Sequence, residues 1–318
     1  PVYRGQHTIG PLAERLRQYF TAAGLAYEII FVYDCGPDAS WSVIEALRAQ
    51  FGPDVVRGIR LARNFGQHNA LICGFQHARG RFFLTMDEDL QHRPEDIGRL
   101  IARQADGDFD VVYGRYEVRR HSGFRNITSQ ALKWLLRVGI PELHPDYTSF
   151  RLIKATVARY CLEMRNSYTF LDGYLTWVTR SVTSVDVDHR EGEAGQSSYT
   201  LGKLIEHSIN IFVTFSHLPV RLLSMTSIGV FFFTALYSLY IIGRKLIFND
   251  LSVGFASLII TIGVGVGLIL LGLGILGEYI GRLFEETKRR PMYLVKRRIG
   301  LDDATEALRQ RRHDFMEK

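Results

Sequence analysis

The chain has 318 residues, 47% of them hydrophobic, and a formal net charge of +6, proportions that fit one large globular domain with an appendage, or two domains. Its three cysteines, Cys35, Cys73 and Cys161, are scattered without metal-ligand spacing, which excludes a cysteine metal site and fits a reduced compartment. The basic excess would suit nucleic acid, but it is concentrated beside long apolar runs, so a membrane surface accounts for it and no nucleic-acid partner is expected.

The opening Pro1-Val2-Tyr3 reads as the inside of a first strand, with residues expected upstream, and no signal peptide is visible. Residues 8–25 carry Ile9, Leu12, Leu16 and Phe20 at helical spacing, with Gly24 as a stop. Residues 27–32 form an apolar strand. The turn from Asp34 to Ser40 follows, with Ser40 as N-cap of a helix holding Trp41, Val43, Ile44 and Leu47. Residues 55–61 are the next strand. Asn64-Phe65-Gly66-Gln67-His68 is a polar turn before a helix over 70–78, and a strand over 82–86 comes after it.

That strand delivers Asp87-Glu88-Asp89-Leu90-Gln91-His92 to one point, where Arg93-Pro94 turns the chain. In an extended segment Asp87, Asp89 and Gln91 share a face and Glu88 takes the other. Hard oxygens in that pattern suit Mg²⁺ or Mn²⁺, with positions left open for phosphate oxygens. The alternative is a solvated acidic turn.

Helices alternating with short apolar strands predict an α/β fold, a mostly parallel sheet with helices on both faces, whose ligands collect at the carboxyl ends of strands. Asp34 and the Asp87 cluster sit at such ends. No G-x-G-x-x-G and no G-x-x-x-x-G-K-[ST] occurs, so a bound diphosphate would need a metal and basic side chains.

After a strand over 110–114, Arg115, Arg119, Arg120 and Arg125 lie within eleven residues, which suits either phosphate recognition or a solvated basic loop. Asp146-Tyr147-Thr148-Ser149 places an acid and two hydroxyls before another apolar run. Residues 168–174 are an aromatic-rich turn leading into a helix, 181–189 a strand, and 190–199 a flexible loop. Residues 201–218 are expected as an interfacial amphipathic helix.

Residues 222–243 and 251–277 are free of formal charge, and each exceeds the ~20 residues that cross a bilayer. Together they predict a transmembrane hairpin within 219–281. The tail, 282–318, is rich in Arg and Lys, which puts it and the domain over 1–200 on the cytoplasmic face of the inner membrane. Gly263 and Gly267, and Gly277 and Gly281, have the spacing of close helix contacts, from which a homo-oligomer is expected.

Several of these stretches, taken in order, resemble family 2, GT-A-fold polyprenyl-phosphate glycosyltransferases: Arg63-Asn64-Phe65-Gly66-Gln67-His68, Thr85-Met86-Asp87-Glu88-Asp89-Leu90-Gln91-His92, Asp146-Tyr147-Thr148-Ser149-Phe150-Arg151-Leu152, and Gly274-Ile275-Leu276-Gly277-Glu278-Tyr279-Ile280-Gly281-Arg282. The resemblance implies a GT-A (Rossmann-like) domain that transfers a sugar from a nucleotide-sugar to polyprenyl phosphate with inversion, using Mg²⁺ or Mn²⁺. It matches Asp87, Asp89 and Gln91 to the metal and diphosphate positions and Pro1, Tyr3 and Asp34 to the nucleotide loops. Arg115, Arg125 and Ser129 match the lipid-phosphate site, and Arg190 a mobile loop over the donor. Asp89, Asp146 and Arg125 then carry the catalytic roles, Asp146 as an orienting group more than as a base.

Glucose from UDP-glucose is the first expectation, since the hairpin looks most like the bactoprenol glucosyltransferases. Transfer of 4-formamido-arabinose or mannose is the second. Departures from the family at Tyr33, Glu88 and Ser198 motivate a further alternative, a catalytically impaired membrane scaffold.

Overall fold

The computed structural model of the chain describes residues 1–116, 140, 142–164, 168–188, 218–248 and 254–300. The loop over 190–199 and the expected interfacial helix up to residue 217 lie outside them. The chain divides into two compact units, one of Pro1–Ala131, Glu142–Thr200 and Pro291–Lys318, the other of Leu132–Pro141 and Leu201–Arg290.

The first unit is α/β. Helix α1 (Ile9–Ala23) buries Ile9, Leu12, Ala13 and Leu16 and ends at Gly24, whose φ of 63° lets its N–H reach back to Phe20 and Thr21 carbonyls. Strand β1 (Ile29–Tyr33), helix α2 (Ser40–Phe51), strand β2 (Val56–Leu61), helix α3 (Gln67–His77) and strand β3 (Phe82–Thr85) follow. Ser40 is the first helical residue rather than the cap, and its Oγ donates to Asp38 Oδ2 at 2.6 Å.

Pro94 opens a 3₁₀ turn into helix α4 (Ile97–Gly107), and strand β4 (Val111–Tyr116) comes next. Strand β5 (Arg151–Lys154), helix α5 (Ala155–Tyr160), helix α6 (Leu171–Val178) and strand β6 (Val182–Val187) complete this run. The segment after the long helices returns as strand β7 (Val295–Ile299). The sequence pattern had assigned no element to β7 or α4.

The strands form two sheets, ordered β1-β2-β7 and β3-β5-β4-β6. β1 and β2 pair in parallel, as do β4 and β6, whereas β5 runs antiparallel to both β3 and β4, and β7 antiparallel to β2. The sheets are therefore mixed. One core serves both: Ile9, Leu12 and Leu16 of α1, Phe31 of β1, Ile44 of α2, Leu100 of α4, Val112 of β4 and Leu152 of β5 belong to a single buried cluster. Only glycine fits at position 58, where a Cβ would stand 2.7 Å from Ile44 Cγ2 and 2.8 Å from Ile299 Cγ1.

In the middle of the four-stranded sheet Arg151 and Asp172 form a buried ion pair, with Arg151 1% and Asp172 3% exposed. Tyr113 Oη donates to Asp172 Oδ1 at 2.8 Å and Arg151 Nε donates to Thr85 Oγ1 at 3.2 Å. Burial, reinforced by Asp172, pushes the Tyr113 phenol well above its usual range.

The second unit contains helix α7 (Leu218–Phe248) and helix α8 (Phe255–Thr287). The span predicted over 222–243 lies within α7 and most of that over 251–277 within α8, which runs on to Thr287; among the described residues Gly265–Thr287 is long and apolar enough to cross a bilayer. Large apolar side chains such as Phe233, Leu239, Ile269 and Leu283 are exposed along both helices. The helices approach at Gly272, where an added Cβ would lie 3.4 Å from Leu223 Cδ1. Space is open at Gly267, Gly277 and Gly281.

Removing one partner of the buried pair leaves a charge without compensation, so Asp172→Ala should destabilise the first unit by about 3–5 kcal/mol. The double variant Arg151→Met, Asp172→Leu should lose much less than the sum of the single variants, as measured by thermal unfolding of the full chain.

Candidate active site

β3 ends at Thr85, whose Oγ1 donates to Ser149 O at 2.6 Å, and the alternation expected through Gln91 ends with it. Residues 86–93 form a turn instead. Leu90 takes a left-handed φ of 64°, Gln91 donates its backbone N–H to Asp89 Oδ1 at 3.1 Å, and the Asp87 N–H donates to His92 Nδ1 at 2.9 Å. The β period therefore does not set which way these acids face; local hydrogen bonds do.

Asp87 is held from two sides. Gln67 Nε2, on the first residue of α3, donates to Oδ1 at 2.7 Å, and Ser149 Oγ donates to Oδ2 at 2.6 Å. His92, 4% exposed, stacks on Phe150 and Tyr116 with ring centroids 5.1 and 5.9 Å away. Its Nδ1 accepts, so the neutral ring carries its proton on Nε2, 3.5 Å from Ser149 Oγ.

Glu88 leaves this group and reaches the N-terminal segment, where both its oxygens lie 2.9 Å from the Tyr3 N–H. Burial pushes its carboxyl up to about 7, against the opposing pull of that N–H. Tyr3 is thus joined to the acidic turn. Pro1 precedes Val2, which forms a parallel bridge to Tyr33 at the end of β1.

Asp34 directly follows β1 and lies below the surface. It is 3% exposed, and its two oxygens accept the Phe65 N–H at 2.7 Å and the Gly66 N–H at 2.8 Å, so it supports the turn that starts α3. Burial raises its pKa, countered by those two N–H groups. Tyr33, where the resembled family usually has an acid, is 2% exposed and donates its hydroxyl to the Gly36 and Asp38 carbonyls.

A second group lies on β4 and β6. Arg115 Nε and Nη2 donate to Asp186 at 2.6 and 3.0 Å, and Nη1 donates to Asp146 Oδ2 at 3.3 Å. Ser184 Oγ also donates to Asp146 Oδ2, at 2.8 Å. The structure therefore brings Arg115 and Asp146 together and adds Ser184 and Asp186. The alternation of β6 was the signal for that pair, since residues two apart share a face. Arg125, Ser129 and Arg190 lie outside the described residues.

The segment 146–150 joins the two groups. Asp146 meets Arg115, Thr148 Oγ1 donates to Gly114 O at 2.9 Å, and Ser149 meets Asp87. Arg115 and the acidic turn are thereby tethered to one short stretch of backbone.

Among the described residues no three His, Cys, Asp or Glu side chains gather as a closed metal cage. Asp87 and Asp89 are partly exposed carboxylates at the end of β3. Two hard-oxygen donors of this kind fit a Mg²⁺- or Mn²⁺-type ion that keeps most of its coordination for other oxygens.

The chain is similar in sequence and fold to known proteins. The model of glycosyl transferase family 2 matches residues 1–160. The undecaprenyl-phosphate 4-deoxy-4-formamido-L-arabinose transferase of Shewanella sediminis is 32% identical over 97% of this chain and 93% of its own length. The glycosyltransferase YkcC of Bacillus subtilis is 32% identical over 95% of this chain and 94% of its own. Among solved structures, mannosyl-3-phosphoglycerate synthase from Rubrobacter xylanophilus aligns with a TM-score of 0.51 at 15% identity, covering 66% of this chain and 70% of that one. Glucosyl-3-phosphoglycerate synthase from Mycobacterium tuberculosis, in complex with Mn²⁺, UDP-glucose and phosphoglyceric acid, aligns at 0.50 and 15%, covering 68% and 76%. The two structures speak for the fold.

Ser149→Ala removes one of the two side-chain donors on Asp87 without opening the core. Mn²⁺ affinity, titrated by EPR on the full chain, should fall by about 10–100-fold, while the melting temperature stays within a few degrees.

Proposed function

The chain belongs to glycosyl transferase family 2, and from that premise we propose that it transfers a sugar from a nucleoside-diphosphate donor to polyprenyl phosphate at the membrane. The observation that carries this reading is the 146–150 segment, which ties an acidic turn suited to a metal–diphosphate to an arginine suited to a phosphate. A donor and a phosphate acceptor have to meet within a few ångströms to react, and one segment supports both groups.

Asp87 and Asp89, with Gln91 beside them, are the residues that would hold the metal, whose chemistry is to neutralise the departing diphosphate. Tyr3 and its neighbours border the nucleotide. Arg115 orients the attacking phosphate, with Arg125 and Ser129 as further candidates for its oxygens and Arg190 for the donor. A phosphate monoester has a second pKa of ~6 and is largely dianionic at neutral pH, so the acceptor needs little deprotonation. Asp146, already receiving hydrogen bonds from Ser184 and Arg115, is better placed to orient that arginine than to take a proton.

Glucose is not the donor this reading favours. The similarity to 4-deoxy-4-formamido-L-arabinose transferases runs along 97% of the chain, so the formamido-arabinose donor is now the leading choice. On this reading the apolar helices anchor the chain as a two-span hairpin beside its lipid substrate, with the first unit cytoplasmic. Mg²⁺ and Mn²⁺ both suit the site, and the helices pair copies of the chain into a homo-oligomer that crosslinking in detergent should trap.

Purified full chain should convert undecaprenyl phosphate and one of UDP-4-formamido-arabinose, UDP-glucose or GDP-mannose into a lipid-linked sugar, followed by thin-layer chromatography. EDTA should stop turnover and Mn²⁺ restore it, and Asp89→Ala should lower kcat/KM by about 10²-fold or more. Absence of transfer from all three donors overturns the reading.

A further inference from the structure

Glu88 is the acid that the expected metal set does not use, and its geometry gives it separate work. We propose that Glu88 is a positioning residue that couples the metal turn to the nucleotide loop, by holding the Tyr3–Gly5 backbone against the acidic turn. The inference rests on the reading of this rim as a metal and nucleotide-sugar site.

Three features converge on that contact. The Tyr3 N–H is shared by both Glu88 oxygens, each at 2.9 Å, across a separation of 85 residues. Gly5 leaves the room for it: a Cβ there would lie 3.2 Å from Glu88 Cδ and 3.2 Å from Oε2. Between them Arg4 takes a φ of 67°. A non-glycine residue holds that left-handed conformation only where its surroundings over-determine it.

The restraints sit on both sides of Arg4. Ahead of it Glu88 fixes Tyr3. Behind it the Gln6 N–H donates to Asp38 Oδ2 at 3.1 Å, and Gln6 Oε1 accepts the Ala39 N–H at 3.0 Å. The Tyr3–Gln6 turn is therefore suspended between the acidic turn after β3 and the turn that leads into α2.

Because Glu88 lies between Asp87 and Asp89 in the chain, its backbone cannot move independently of theirs. Ordering the acids around an ion also orders Glu88 and, through it, the Tyr3 backbone. Such coupling is reciprocal: an ion that strengthens nucleotide binding is itself bound more tightly when nucleotide is present. A residue with alanine's side chain at position 88 would leave the Tyr3 N–H without this acceptor.

The test is the affinity of the full-length, detergent-solubilised chain for UDP, by calorimetry, with Mn²⁺ and with EDTA. Wild type should bind UDP more tightly with Mn²⁺. Glu88→Ala should lose about tenfold of that enhancement, a size typical of coupling between sites. Glu88→Gln, whose amide oxygen can still accept the Tyr3 N–H, should keep it within about threefold. Gly5→Ala, which crowds the Glu88 carboxylate, should reduce it without altering any acid, and serves if Glu88→Ala does not fold.

An enhancement in Glu88→Ala equal to that of wild type overturns the inference. So does an equal loss in Glu88→Gln and Glu88→Ala, since charge rather than the hold on Tyr3 would then be responsible. If wild type transfers sugar yet its UDP affinity is indifferent to Mn²⁺, the coupling fails alone. If wild type binds no nucleotide and transfers no sugar, the reading of the site fails with it.

Discussion

A guanidinium and a carboxylate buried together are tolerated only when their geometry is good and their remaining hydrogen-bonding capacity is met. Around Arg151 and Asp172 that condition ties together three strands of the four-stranded sheet. Arg151 stands on β5 between β3 and β4, and each neighbour answers it: Thr85 at the end of β3 accepts a hydrogen bond from Nε, and Tyr113 of β4 donates to Asp172. Asp172 comes from α6, so the pair also fixes a helix against the sheet. Thr85 immediately precedes the acidic turn and touches the Ser149 carbonyl, so the demand for satisfied polar groups reaches the site within two residues of Asp87.

This explains why the acids need no β-strand to hold them. The strand stops at Thr85, and beyond it each acid has its own restraint: Ser149 and Gln67 for Asp87, the Gln91 N–H for Asp89, the Tyr3 N–H for Glu88. Three carboxylates on neighbouring residues repel one another, and hydrogen-bond donors distributed among them are the physical remedy where, among the described residues, no lysine or arginine pairs directly with them. Sending Glu88 to a different partner separates it from the two that face the rim.

The framework was legible where periodicity and stop signals agree. Ile9 to Phe20 with Gly24, and the runs over 55–61, 82–86 and 181–189, all contain the elements they suggested. α4 was not read because its apolar positions Ile97, Leu100 and Ile101 are few among polar neighbours. β7 was hidden because Lys296, Arg297 and Arg298 look like a solvated basic tail. On the sheet Arg297 pairs with Glu45 at 2.8 Å, and its guanidinium stands over Trp41. At the site, residue types were readable but directions were not. Asp34 carried the right chemistry for a ligand contact, yet two backbone N–H groups at the start of α3 claim its oxygens. Glu88 hydrogen-bonds the Tyr3 N–H, a partner 85 residues away that alternation along the chain does not reveal.

The same asymmetry bears on catalysis. Arg115 is engaged by Asp186 through two nitrogens and by Asp146 through the third, which orients its guanidinium plane. A bidentate carboxylate gives a guanidinium a defined orientation. Preorganised donors stabilise developing charge without reorganising during the reaction, and that economy matters most where the nucleophile is already ionised and no proton has to be removed. On this reading Asp146 and Asp186 act through Arg115. The chemistry then divides into two electrostatic tasks, one on β4 and one after β3, joined by the five residues from Asp146 to Phe150.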